Sequence, residues 1–167
     1  MGKIDLLAKL AKKTSPSGMT KVEFTKQLRN IFGKSKTLDE LVAQTPKKVV
    51  GFINKVTLDE EMIGSGKYAP KELIFGKSAD LQTVLHEVEH AIQDMISTRL
   101  NRPSHYPLYK SEMEGMANEI TRRRAKNLGL PYEFSDKLPQ KLSRKLDKYE
   151  NPYLFLRRYL SPPKWRE

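Results

Sequence analysis

Residues 85–93 read Leu85-His86-Glu87-Val88-Glu89-His90-Ala91-Ile92-Gln93. Two imidazoles stand four positions apart here, and a carboxylate follows the first. In a helix positions i and i+4 lie on one face a single turn apart, near enough to share an ion, so the reading turns on the local structure. The flanks predict a helix. Ser78 is a candidate N-cap, Asp80 falls in the first turn, and Leu81, Val84, Leu85, Val88, Ala91, Ile92, Met95 and Ile96 recur at helical spacing. His86 and His90 then offer ring nitrogens to one cation from the edge of an apolar stripe. Glu87 lies close enough to take a proton from a water molecule held there.

Two imidazoles do not complete such a site, because catalytic zinc takes three protein donors and keeps one position open. The third histidine of the chain, His105, follows His90 by 15 residues. The later run Ser111-Glu112-Met113-Glu114-Gly115-Met116-Ala117-Asn118-Glu119 places carboxylates 22 and 24 positions after His90. About Met113, Glu112 and Glu114 project roughly 100° to either side, so one helix can aim only one of them at a metal. Glu114 is preferred. Gly115 and Ala117 permit close helix packing, and Asn118, one turn on, can steady a ligating side chain. Glu112 and His105 stand as the alternatives.

The 167 residues predict one domain with a core large enough to need no covalent staples. Cysteine is absent, which excludes disulfides, thiolate zinc sites and thiol nucleophiles. No run of about 18 apolar residues occurs and the start lacks a signal-peptide core, which predicts a cytoplasmic protein with no membrane association. The formal charge is +11, and residues 121–167 carry 13 Lys and Arg against 5 Asp and Glu. That basic region is a candidate surface for nucleic acid or an acidic partner, although no nucleic-acid-binding motif accompanies it.

Along the chain, residues 3–13 predict a short amphipathic helix and 14–18 a linker. A helix is expected over 21–32, ending at Gly33. Thr37-Leu38-Asp39-Glu40 reads as a capping box, and Thr45-Pro46 as N-cap and N1 of a further helix. Lys71-Glu72-Leu73-Ile74-Phe75-Gly76 is the strand candidate, with an edge that could pair with an extended peptide. Residues 101–107 form a loop, and a helix over 110–127 stops at Gly129-Leu130-Pro131. A basic helix follows over 141–149. Residues 152–160 interleave aromatics with arginines and read first as a terminal helix docked by its apolar face, second as a base-stacking surface. The regions are divided as 1–60 helical, 61–130 metal-binding core, and 131–167 basic helical extension. The expected class is mainly helical α+β.

His86-Glu87-Val88-Glu89-His90 followed by Glu114-Gly115-Met116-Ala117 resembles the gluzincin branch of zinc metallopeptidases. Over residues 81–124 the chain is also similar to the metallopeptidase domains found in large phage and mobile-element polyvalent proteins. The resemblance implies a zincin-like core with a short sheet, zinc on His86, His90 and Glu114, Glu87 as general base, and a protein or peptide substrate. It also implies a phage-encoded or delivered protein. Asn118 stands where many relatives have aspartate, and Gln93 and Ile96 replace the Gly and His of the longer metzincin pattern. The His90-to-His105 spacing is similar to that of SprT-like DNA-associated proteases. His105, Tyr106 and Tyr109 are candidates by position for oxyanion or substrate contacts. A metal-stabilised binding module without turnover is the non-enzymatic alternative.

Overall fold

A computed structural model describes residues 18–99, 110–132 and 138–160. The expected helix over 3–13, the loop over 101–107 and the candidates His105, Tyr106 and Tyr109 lie outside these residues. The chain divides into two units, one up to Thr83 and one from Val84.

In the first unit, local capping sets where the helices begin. Helix α1 (Lys21–Phe32) starts where the Thr20 hydroxyl accepts from the Glu23 N–H, and ends at Gly33, whose φ of 79° suits glycine. Helix α2 (Lys36–Gln44) starts two residues earlier than the expected capping box would place it. Ser35 is extended and its hydroxyl accepts from the Leu38 N–H at 3.1 Å, so Thr37 falls inside the helix. Thr45 likewise ends α2 instead of opening its successor, because its hydroxyl donates to the Leu41 carbonyl at 2.8 Å. Pro46 therefore occupies the N-cap, not N1, of helix α3 (Lys47–Phe52).

Strands β1 (Lys55–Leu58), β2 (Gly66–Ala69) and β3 (Glu72–Phe75) form one sheet in the order β1-β3-β2. β1 runs parallel to β3 and β2 antiparallel to it. The expected strand is thus central. Both of its edges are occupied, so it has none free for a peptide, and β1 and β2 are the outer strands, with the Val56 N–H of β1 donating to Gln27 Oε1 of α1 at 3.3 Å. Pro70 and Lys71 close the β2–β3 hairpin, with Lys71 at a φ of 63°. Leu73 and Phe75 are fully buried, and the Phe75 ring meets Phe32 of α1 edge-on at 5.3 Å. Phe24, Leu28, Leu38, Leu41, Val50 and Ile53 complete the first unit's core.

The second unit is helical. Helix α4 (Leu81–Arg99) opens on a reciprocal cap, in which Asp80 Oδ1 accepts from the Thr83 N–H at 3.0 Å and Thr83 Oγ1 accepts from the Asp80 N–H at 3.2 Å. Asp80, not Ser78, is therefore the cap. Val84, Leu85, Val88, Ala91 and Ile92 are buried as the periodicity requires. Helix α5 (Lys110–Asn127) buries Met113, Met116, Ala117 and Ile120. It ends in a Schellman turn: Leu130 N–H donates to Ala125 O, Gly129 N–H to Lys126 O, and Gly129 has a φ of 73°. Helix α6 (Gln140–Asp147) and helix α7 (Pro152–Leu160) follow, and α7 docks through Phe155, Leu156 and Leu160. The architecture is mainly helical with a small three-stranded sheet. Among the described residues, no helix is long and apolar enough to cross a membrane.

Candidate metal centre

The helical spacing in α4 brings His86 and His90 together, their Nε2 atoms 3.1 Å apart. Helix α5 sets Glu114 against the pair, with Oε1 at 2.9 Å from His90 Nε2 and Oε2 at 3.3 Å from His86 Nε2. Among the described residues these three form the one group whose donor atoms converge as metal ligands would. In a tetrahedral site with bonds near 2.05 Å, neighbouring donors stand about 3.3 Å apart. The His86–His90 separation is close to that figure, and one Glu114 oxygen lies near each imidazole, so the three side chains could hold an ion. Glu112, on the first turn of α5, is not part of the group.

Each imidazole is held by its other nitrogen. His90 Nδ1 lies 2.9 Å from Gln93 Oε1, and Gln93 Nε2 donates to the Met113 carbonyl at 2.8 Å. A carbonyl only accepts, so the Gln93 amide must present its NH2 to Met113 and its oxygen to His90. The neutral His90 that a metal requires therefore donates from Nδ1 and keeps its lone pair on Nε2, whereas without a metal a further proton on Nε2 is donated to Glu114. The Gln93–Met113 contact also anchors α5 at the residue before Glu114. On His86, Nδ1 lies 2.9 Å from the Tyr132 hydroxyl, which donates to Asn118 Oδ1 at 2.9 Å. With the hydroxyl proton directed at Asn118, the Tyr132 oxygen accepts from His86 Nδ1–H. Again Nε2 is left for a metal. Asn118 thus reaches the candidate ligand His86 through Tyr132.

Electrostatics agree with this donor set. Hydrogen bonds from His86 and His90 hold the Glu114 carboxyl well below the usual carboxylate range, so it is ionised. Burial alone would lower the His90 pKa, but Glu114, Glu87 and Gln93 outweigh it and the net shift is upward. Glu87 is 5 % exposed. Burial pushes its carboxyl up despite the opposing pull of His90 and His86. It is therefore a stronger base than an exposed glutamate, within the field of the donor group.

Glu89, between the histidines, faces away from the donor group. It is fully buried, accepts from Arg124 Nη1 at 2.9 Å and from the Tyr153 hydroxyl at 2.9 Å, and so joins α4, α5 and α7. Burial pushes its carboxyl up and Arg124 opposes that shift. Tyr132, Gln93, Arg124 and Tyr153 were not identified as part of the site from the sequence. Only Gln93, three positions after His90, carried a signal there, since i and i+3 share a helix face. No family model, curated protein or solved structure matches this chain.

Proposed function

We propose that the chain is a zinc-dependent metallopeptidase with a zincin-like core of the gluzincin kind, acting on a protein or peptide. The observation that carries this reading is the convergence of two imidazole nitrogens and one carboxylate, with a buried, basic carboxylate beside the first ligand. His86, His90 and Glu114 would hold the ion, and neutral imidazole with carboxylate is a donor set that zinc accepts. Zinc bound there supplies a Lewis acid that polarises a carbonyl and lowers the pKa of water. Glu87 takes the proton from the attacking water and returns it to the leaving amine nitrogen, a role suited to a carboxylate whose pKa burial has raised. The Tyr132–Asn118 and Gln93–Met113 pairs keep both Nε2 atoms aimed at the ion. A structural site has no use for a general base at this position.

The test is elemental analysis of purified protein beside a peptide-cleavage screen. Close to one zinc per chain is expected, lost in His86→Ala and Glu114→Ala but kept in Glu112→Ala. Glu87→Gln should keep the metal while cleavage falls about 10²- to 10⁴-fold, the range over which a positioned acid–base group acts. A wild-type chain that takes up no zinc when zinc is supplied would sink the reading. Full metal occupancy with a Glu87→Gln variant as active as wild type would remove the catalytic half of it.

A further inference from the structure

Helices α6 and α7 enclose a concavity of about 400 Å³ that the metal centre does not use. Its inner wall is aromatic. The buried Phe155 ring packs between Tyr149 at 5.5 Å and Tyr159 at 6.0 Å, and both tyrosines are only partly covered. Its mouth is cationic: Lys145, Lys148 and Arg158 line it and are exposed, and among the described residues no carboxylate lines it. Asp147, the acid on α6, is engaged by Arg123. Arg158 Nη1 donates to the Tyr149 hydroxyl at 3.3 Å, which fixes a guanidinium at the edge of an aromatic ring.

The basic surface continues beyond the opening. Lys141, Arg144, Lys145 and Lys148 stand at i, i+3, i+4 and i+7, so one exposed face of α6 is a row of cations leading to the concavity. Helix α7 divides its side chains: Tyr153 serves Glu89, while Arg158 and Tyr159 serve this cleft. An acidic peptide would satisfy the cations but has no use for the aromatic wall. Double-stranded nucleic acid would satisfy the cations but keeps its base faces stacked inside the duplex. An unpaired strand answers both, with phosphates along the α6 row and a base against Tyr149 or Tyr159.

We propose that the α6–α7 cleft binds single-stranded nucleic acid, the aromatic wall receiving a base and Lys145, Lys148 and Arg158 receiving the backbone. This goes beyond the peptidase reading and does not depend on it. The test is fluorescence anisotropy of a labelled fifteen-residue oligothymidylate with the full chain, in salt from about 50 to about 300 mM. Wild type should bind, and a duplex of the same length should bind at least about tenfold more weakly. Lys145→Gln with Lys148→Gln, both exposed and safe for the fold, should weaken binding about tenfold and reduce the logarithmic salt slope by about 1.4, as expected for two lost single-strand phosphate contacts. Tyr159→Leu should weaken binding with the salt slope unchanged, its melting temperature verifying the fold. Lys26→Gln with Lys47→Gln, in the first unit, should change little. Excess chelator should leave binding intact, so a failed metal site and a failed strand site are distinguishable. The proposal is overturned by no binding at the lowest salt, by equal affinity for duplex, by indifference to the α6 lysines, or by a glutamate-rich peptide that displaces the strand at equal concentration, which would assign the cleft to acidic peptides.

Discussion

At the scale of single residues, the tyrosine behind His86 holds one side chain of the group that could bind a metal ion. Tyr132 accepts from His86 Nδ1 and donates to Asn118, so its hydroxyl fixes both the tautomer and the ring orientation of one ligand. Tyr132→Phe keeps the ring and removes only that link. Zinc affinity, measured by competition with a chromogenic chelator, is expected to fall about 10- to 100-fold, the usual loss when an outer partner of a metal ligand is deleted. An unchanged affinity would mean that the His86 orientation is set by packing alone. His86, Glu87 and His90 were legible in the sequence because one helix fixes their relations, and Glu114 because a second helix offered two carboxylates on opposite flanks. Tyr132 was not. It stands 46 residues from His86 and reaches it only after the chain reverses at Gly129, a path that no local period encodes.

At the scale of elements, Glu89 does for the helices what Tyr132 does for a ligand. Its carboxylate receives Arg124 from α5 and Tyr153 from α7 in a fully buried position, while Glu89 Oε2 and Arg124 Nη2 have no partner among the described residues. A buried ion pair in this state contributes little net stability while intact, yet exposes the fold to a large loss when only one partner is removed. Arg124→Met should destabilise the chain by about 3–5 kcal/mol because it strands the Glu89 charge. Tyr153→Phe should cost about 1–3 kcal/mol as one donor to a buried carboxylate disappears. Glu89→Leu together with Arg124→Met should recover much of the first loss, and urea unfolding of the four proteins measures all of this. A double variant as unstable as Arg124→Met, or more so, would refute the pairing.

Element identity was more legible in the sequence than element ends. The helices were evident from apolar period, but Ser35, Thr45 and Asp80 decide where they start or stop through side-chain hydrogen bonds, and at the two starts neighbouring Thr37 and Ser78 could equally have made them. The edge strands were missed for a different reason. Each is four residues long, and neither contains an apolar run like the Leu73-Ile74-Phe75 that marked the central strand. They are strands because β3 offers two rows of backbone partners, a property of the pairing and not of their own residues.

At the scale of the whole molecule, a metal held as proposed would compete with protons for the same nitrogens, which would make stability a function of both. A ligand that binds only the folded chain stabilises it by about 2.7 kcal/mol at a hundredfold excess over its dissociation constant. Zinc requires neutral imidazoles, so acid should weaken that contribution. In the metal-free chain the raised pKa of His90 acts in the opposite sense. A group with a raised folded pKa stabilises below its unfolded value near 6.5, and that contribution is lost as pH rises through the folded value. Glu114, whose pKa is depressed, stays ionised across this window and does not reverse the trend. The zinc-free protein should therefore lose some stability between about pH 6 and pH 8, while the gain on adding zinc grows over the same interval. Thermal melting with zinc and with chelator at pH 5.5, 6.5 and 7.5 reads both slopes at once. A zinc-induced rise in melting temperature that is equal at all three pH values would mean that the ion is held by carboxylates elsewhere and not by His86 and His90, since only imidazole ligands titrate in that range.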